Sequence, residues 1–181
     1  MMFASGDDAH PIDEYSIWLL PESEQQCDLV ELVDSLAARF GTETFTPHIT
    51  IQGDLTLQLE QLSGAIAAIS KSYGAQQWPV ASIEGGDHFF RSLFLRFDEQ
   101  PAYIDLKRDM QHISGTTEGL SLFPHLSIAY GLDAKHKTPE IFRELGTATP
   151  QVLRLDRIAI ARSSKNVPIA NWECLAEFTL R

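Results

Sequence analysis

The chain has 181 residues, 44% hydrophobic and 22% charged, with a net charge of −11. That length suffices for one sizeable core, and the composition is ordinary for a soluble globular protein. Its apolar runs are far too short to span a bilayer, and it lacks the basic stripe of proteins that grip long nucleic acid.

The charge is uneven. From Met1 to Gln61 there are twelve acidic residues and one basic residue, Arg39; the rest balances and holds nearly all the Arg and Lys. A phosphate-bearing substrate is therefore expected to be small, or the short end of a chain, and the acidic third is read as a solvated surface. The first 14 residues carry Asp7 and Asp8 without a basic n-region. They are expected to be a frayed tail rather than a signal peptide, ahead of one domain over 15–181 in a cytoplasmic, monomeric protein. Cys27 and Cys174 form neither a C-x-x-C pair nor a metal spacing and are read as reduced thiols.

In chain order, residues 15–20 read as a strand. Leu29, Leu32, Val33, Leu36 and Ala37 then recur at helical spacing. A strand carries Pro47-His48-Ile49-Thr50, and a helix is predicted over 57–73. Residues 78–83 and 88–97 form a predicted hairpin around Glu84-Gly85-Gly86-Asp87. Ile104, Leu106, Met110 and Ile113 mark a helix, and a Gly/Thr/Ser-rich loop over 115–122 leads into Pro124-His125-Leu126-Ser127. A helix over 138–145, a strand over 151–162, a loop over 163–168 and a final strand over 172–180 complete the chain. The expected fold class is α+β, with about seven strands and four helices and mostly antiparallel pairing.

The decisive feature is the repeated tetrapeptide. The two histidines are 77 positions apart, and applying that offset upstream pairs Tyr15-Ser16-Ile17-Trp18 with Ser92-Leu93-Phe94-Leu95. Strand, helix, motif strand, helix thus occurs twice, which predicts two similar lobes with one motif from each at their junction. Alternation along a strand puts His48 with Thr50, and His125 with Ser127, opposite their apolar neighbours. Two imidazoles in one cavity supply a general base and a general acid near neutral pH, and two hydroxyls can bond an anion.

Other chemistries fit less well. No H-E-x-x-H or third ligand accompanies the histidines, and Asp54 and Asp133 give no zinc spacing, so no metal is expected. A G-x-S-x-G elbow, a G-x-G-x-x-G and a P-loop are all missing, so neither an acyl-enzyme nor a nucleotide cofactor is expected. In-line displacement at phosphorus remains. One His would take a proton from water, the other would protonate the leaving oxygen, and Thr50 and Ser127 would bond the non-bridging oxygens.

Paired H-x-[ST] motifs in a duplicated pattern resemble the 2H phosphoesterase superfamily. Within it, Tyr15-Ser16-Ile17-Trp18, Thr46-Pro47-His48-Ile49-Thr50-Ile51-Gln52-Gly53 and Phe123-Pro124-His125-Leu126-Ser127-Ile128-Ala129-Tyr130-Gly131 are similar to the plant and fungal cyclic phosphodiesterases. The resemblance runs from Tyr15 to the end of the chain, although Cys27 and Cys174 do not match that group's disulfide. It implies a bilobal fold, two mostly antiparallel sheets facing a central cleft with helices outside. It also implies metal-independent opening of ADP-ribose 1″,2″-cyclic phosphate and nucleoside 2′,3′-cyclic phosphates, the latter to 2′-phosphates. His48, Thr50, His125 and Ser127 would lie in the cleft and Tyr130 would contact phosphate. Strict alternation points Tyr130 away from His125, so this requires the strand to end or bulge near Ala129.

His125 is assigned as base and His48 as acid. Trp18 is a candidate for stacking on the base, and Arg91 for neutralising phosphate. Phe89 and Phe90 are read as core or hairpin packing, and His10, His88, His112 and His136 as surface or structural residues. Two rival readings are a phosphodiesterase of the same superfamily that trims RNA ends, and a nucleotide sensor without turnover.

Overall fold

The computed structural model describes residues 13–181; most of the expected N-terminal tail, and His10, lie outside them. Five elements occur twice. The first set is β1 (Tyr15–Pro21), α1 (Ser23–Phe40), β2 (Ile49–Leu55), α2 (Leu59–Ser70) and β3 (Gln76–Gly85). The second is β4 (Leu93–Phe97), α3 (Pro101–Ser114), β5 (His125–Ala129), α4 (Pro139–Ala148) and β6 (Val152–Arg162), with β7 (Glu173–Thr179) closing the chain.

Every strand pair is antiparallel. Within each repeat the first strand pairs with the second, β1 with β2 and β4 with β5. The third strand crosses over: β3 pairs with β4 of the other repeat, and β6 with β1. Each lobe is therefore built from both repeats. The lobes meet where Ile49 pairs with Leu126 and where β3 runs against the start of β6.

The helices bury amphipathic stripes on the outer faces. Leu29, Val33, Leu36 and Ala37 of α1 are buried, as the sequence pattern predicts. On α3 the inward face is Tyr103, Leu106 and Met110, while Ile104 is exposed, so one expected core position belongs to its neighbour. The aromatic ring of Tyr103 reaches Trp78 edge-on at 6.1 Å between ring centres.

Two details differ from the expected strands. The second hairpin arm begins at Leu93, because Phe89–Arg91 forms a 3-10 turn instead of extended chain. The partner strand β5 ends at Ala129, so there is no ladder left to hold residues 88–92 extended. The Ser92 hydroxyl fastens the turn, donating to Ala129 O and accepting from Leu132 N, each at 2.9 Å. Second, the offset between the first strands is 76, not 77: Ile17 faces Gln52 as Leu93 faces Ala129, and Trp18 faces Thr50 as Phe94 faces Ser127.

Those registers place a bulge at the same point in both motif strands. Ile51 is the extra residue in β2, and Ile128 in β5. Each bulge reverses the alternation beyond it. It leaves Gln52 and Ala129 opposite core residues, and returns Tyr130 to the face of His125.

Candidate active site

His48 immediately precedes β2 and His125 opens β5. Both follow a proline, which favours an extended backbone at the residue before it, and each ring folds back onto that residue's carbonyl. His48 Nδ1 lies 2.6 Å from Thr46 O, and His125 Nδ1 lies 2.9 Å from Phe123 O. A carbonyl oxygen only accepts, so Nδ1 carries the proton in each ring. The Nε2 atoms are the ones available for proton transfer.

The two motifs converge on one cleft of about 340 Å³, lined by His48, Thr50, His125, Ser127 and Tyr130, with Trp18 and Arg91 also on its wall. Burial pushes both imidazoles down to about 4, against the opposing pull of the carbonyl each one bonds. The further influences differ between them. For His125 they are the positive charges of Arg91, His88 and Arg96, which lower it further; for His48 it is His125.

Trp18 is buried and stacks flat against His48, with ring centres 3.7 Å apart and planes 12° apart. It backs the imidazole. Its counterpart Phe94 meets His125 nearly edge-on at 5.6 Å. Tyr130 stacks on Phe45 at 3.7 Å, and burial raises its phenol, so the group stays a protonated donor. The Ser127 hydroxyl donates to Phe90 O at 2.7 Å, so its one proton is engaged there and an anion at this point would have to displace that bond. Arg91 sits with its guanidinium 5.4 Å from the centre of the Phe123 ring.

Three wall residues escaped the sequence reading. Phe90, read as core or hairpin packing, lines the cleft and stacks on Trp172 at 5.8 Å. Trp172, read only as the start of the last strand, meets Tyr130 at 5.9 Å. His88 lines the rim and its Nδ1 accepts from Phe90 N. The clue to Phe90 was Gly131, whose φ of 59° and proximity to the Phe89 ring seat the 3-10 turn against the end of β5. Nothing local marked Trp172. Phe89 is half exposed, and His136 packs on Phe40 away from the cleft. Among the described residues no three His, Cys, Asp or Glu side chains converge as metal ligands, and Cys27 and Cys174 are free and exposed. No helix there is long and apolar enough to cross a membrane.

No protein-family model matches the chain. A curated relative, the cyclic phosphodiesterase of Arabidopsis thaliana, is 22% identical over 169 aligned positions, covering 91% of this chain and 93% of the relative. Among solved structures, apo LigT of E. coli has a TM-score of 0.60 at 12% identity, covering 93% of this chain and 97% of that one. LigT complexed with 3′-AMP also gives 0.60, at 13% identity over 93% and 98% of the two chains. TT0787 of Thermus thermophilus gives 0.59 at 14% identity, again over 93% and 98%. These structures share the fold, and the plant relative shares most of its length with this chain. With its paired H-x-[ST] strands meeting in one cleft, the chain is similar in sequence to a plant cyclic phosphodiesterase and in fold to LigT and TT0787.

Proposed function

We propose that this enzyme hydrolyses small cyclic phosphodiesters, nucleoside 2′,3′-cyclic phosphates and ADP-ribose 1″,2″-cyclic phosphate, without a metal ion. The observation that carries the reading is the pair of imidazoles whose Nδ1 atoms are both tied to backbone carbonyls, leaving two Nε2 atoms for one cleft.

The proposed step uses that geometry. His125 Nε2 takes a proton from water as the water oxygen attacks phosphorus. The bond from phosphorus to the ribose 3′ oxygen breaks, and His48 delivers its proton to that oxygen. The products are the 2′-phosphate and a free 3′-hydroxyl, and the proton gained at His125 returns to His48 through solvent. Thr50, Ser127 and Tyr130 donate to the non-bridging oxygens as charge gathers there.

The surroundings of the rings support this assignment of roles. Arg91, Arg96 and His88 favour a neutral His125, as a base requires. The face of Trp18 against His48 favours an imidazolium there, because the indole π-cloud attracts a cation. A bound phosphate anion favours the imidazolium further. The net charge of −11 supports a small substrate over a long RNA.

The test is hydrolysis of adenosine 2′,3′-cyclic phosphate and ADP-ribose 1″,2″-cyclic phosphate in excess EDTA, with products assigned by phosphorus NMR. EDTA-resistant formation of adenosine 2′-phosphate is expected. A 3′-phosphate product reverses the leaving oxygen, and turnover abolished by EDTA contradicts the metal-free reading.

A further inference from the structure

The cleft is nearly symmetric where phosphate would sit and asymmetric around it. At the 77-residue offset Tyr130 corresponds to Gly53, and Ala129 to Gln52. In the second motif Tyr130 fills its own position beside the cleft. In the first that space is given to another segment, residues 115–122, which arrives from the end of α3.

The contacts between Gln52-Gly53 and this segment are specific. Gln52 is fully buried, and the bulge at Ile51 turns it away from the cleft, opposite Ile17. Its Nε2 lies 3.1 Å from Ser114 Oγ, 3.3 Å from Thr116 O and 2.8 Å from Glu118 O. Gly53 N donates to Gly119 O at 2.8 Å, and Ser121 N to Ile51 O at 3.0 Å. Gly119 has φ 73°, and a Cβ there would overlap the Gly53 carbonyl oxygen. The approach therefore requires glycine, and a side chain on Gly53 would in turn press on Ser16 Oγ.

The segment held this way forms one wall of the cleft through Gly119, Leu120, Ser121 and Leu122. It brings no cation and no imidazole. It offers backbone, two apolar side chains, Leu120 and the 72% exposed Leu122, and a Ser121 hydroxyl that donates to Phe123 O. That chemistry suits the flat, uncharged part of a nucleotide better than its phosphate.

We propose that Gln52 is a positioning residue for nucleoside recognition: its amide clamps residues 115–122 so that Gly119 to Leu122 form the wall on which the base and ribose rest. This deepens the proposed function and rests on it. Gln52 touches neither substrate nor either histidine. Its loss should weaken binding of the nucleoside and leave the chemistry at phosphorus intact.

The experiment compares adenosine 2′,3′-cyclic phosphate with ethylene phosphate, a five-membered cyclic phosphate with no base or ribose. Gln52→Met keeps the side-chain volume and removes the donors. Gly119→Ala acts from the segment's own side, because its Cβ would overlap the Gly53 carbonyl and the segment must lift away from it. In both variants KM for the nucleotide should rise about tenfold, the equivalent of one or two lost hydrogen bonds, with kcat nearly unchanged. The kcat/KM for ethylene phosphate should stay at the native value. Equal losses on both substrates would reduce Gln52 to a general structural residue and overturn the proposal, as would unchanged kinetics on both. A native protein that hydrolyses neither substrate would instead remove the proposed function itself, and the inference with it.

Discussion

His48 and His125 show how little chemistry the two motifs need from outside themselves. Each ring is oriented by the carbonyl two residues earlier, so the proline-histidine pair carries its own second contact. Burial holds both rings near pKa 4, so both are neutral at pH 7 before substrate arrives. The proposed step needs one of them protonated. Hence kcat/KM, which reports the free enzyme, should fall about tenfold per pH unit above about pH 5. In the proposed mechanism bound phosphate raises the acid, so the falling limb of kcat should lie at higher pH than that of kcat/KM. Coincident limbs in a pH–rate series would show that phosphate does not reach the acid. A second consequence concerns Trp18. Trp18→Leu removes the π face behind His48 and should lower kcat several-fold while moving its alkaline limb to lower pH. An unchanged profile would make Trp18 a packing residue only.

The 3-10 turn between β3 and β4 and the paired bulges explain what the linear pattern hid. The repeat, the strand and helix order and the four H-x-[ST] residues were all legible, because periodicity and a duplicated motif are local signals. Tyr130 could be brought to the cleft only through a bulge, and the bulge at Ile128 is there. Phe90 was misread because residues 88–97 look like one unbroken strand. What breaks it is the end of the partner strand β5, a tertiary fact. Trp172 reaches the cleft from the 3-10 turn over Ile169–Asn171, with its Nε1 donating to Val167 O, and no local pattern reports that. Gly131 shows how tightly the Phe89–Arg91 turn is seated: a Cβ there would meet the Phe89 ring at 2.5 Å. Gly131→Ala should therefore cost about 1–3 kcal/mol in chemical denaturation and weaken activity by shifting the wall formed by Phe90 and Tyr130. A variant as stable and active as the native chain would mean that the turn is free to move.

The exchange of β3 and β6 between repeats makes the two halves interdependent. Residues 13–85 alone would leave β1 without β6 and β3 without β4, with their buried faces exposed. That fragment should be unfolded by circular dichroism, and a cooperatively folded fragment would contradict the topology. The whole chain also carries a pH signature of its cleft. Each histidine is lowered from 6.5 to about 4, so the unfolded chain takes up protons first as the solution is acidified. The stability tied to keeping the rings neutral is whole above about pH 6.5 and is lost as pH falls towards about 4, at about 3 kcal/mol per ring. A His48→Gln/His125→Gln protein should lose less stability than the native chain between those pH values, measured by urea denaturation. The same pair of residues carries the most direct test of function: turnover of adenosine 2′,3′-cyclic phosphate in excess EDTA by the native protein and by His48→Ala/His125→Ala. Metal-free hydrolysis by the native protein, with the double variant at background, is the predicted result; comparable rates from the two proteins would show that the paired imidazoles are not the catalytic groups.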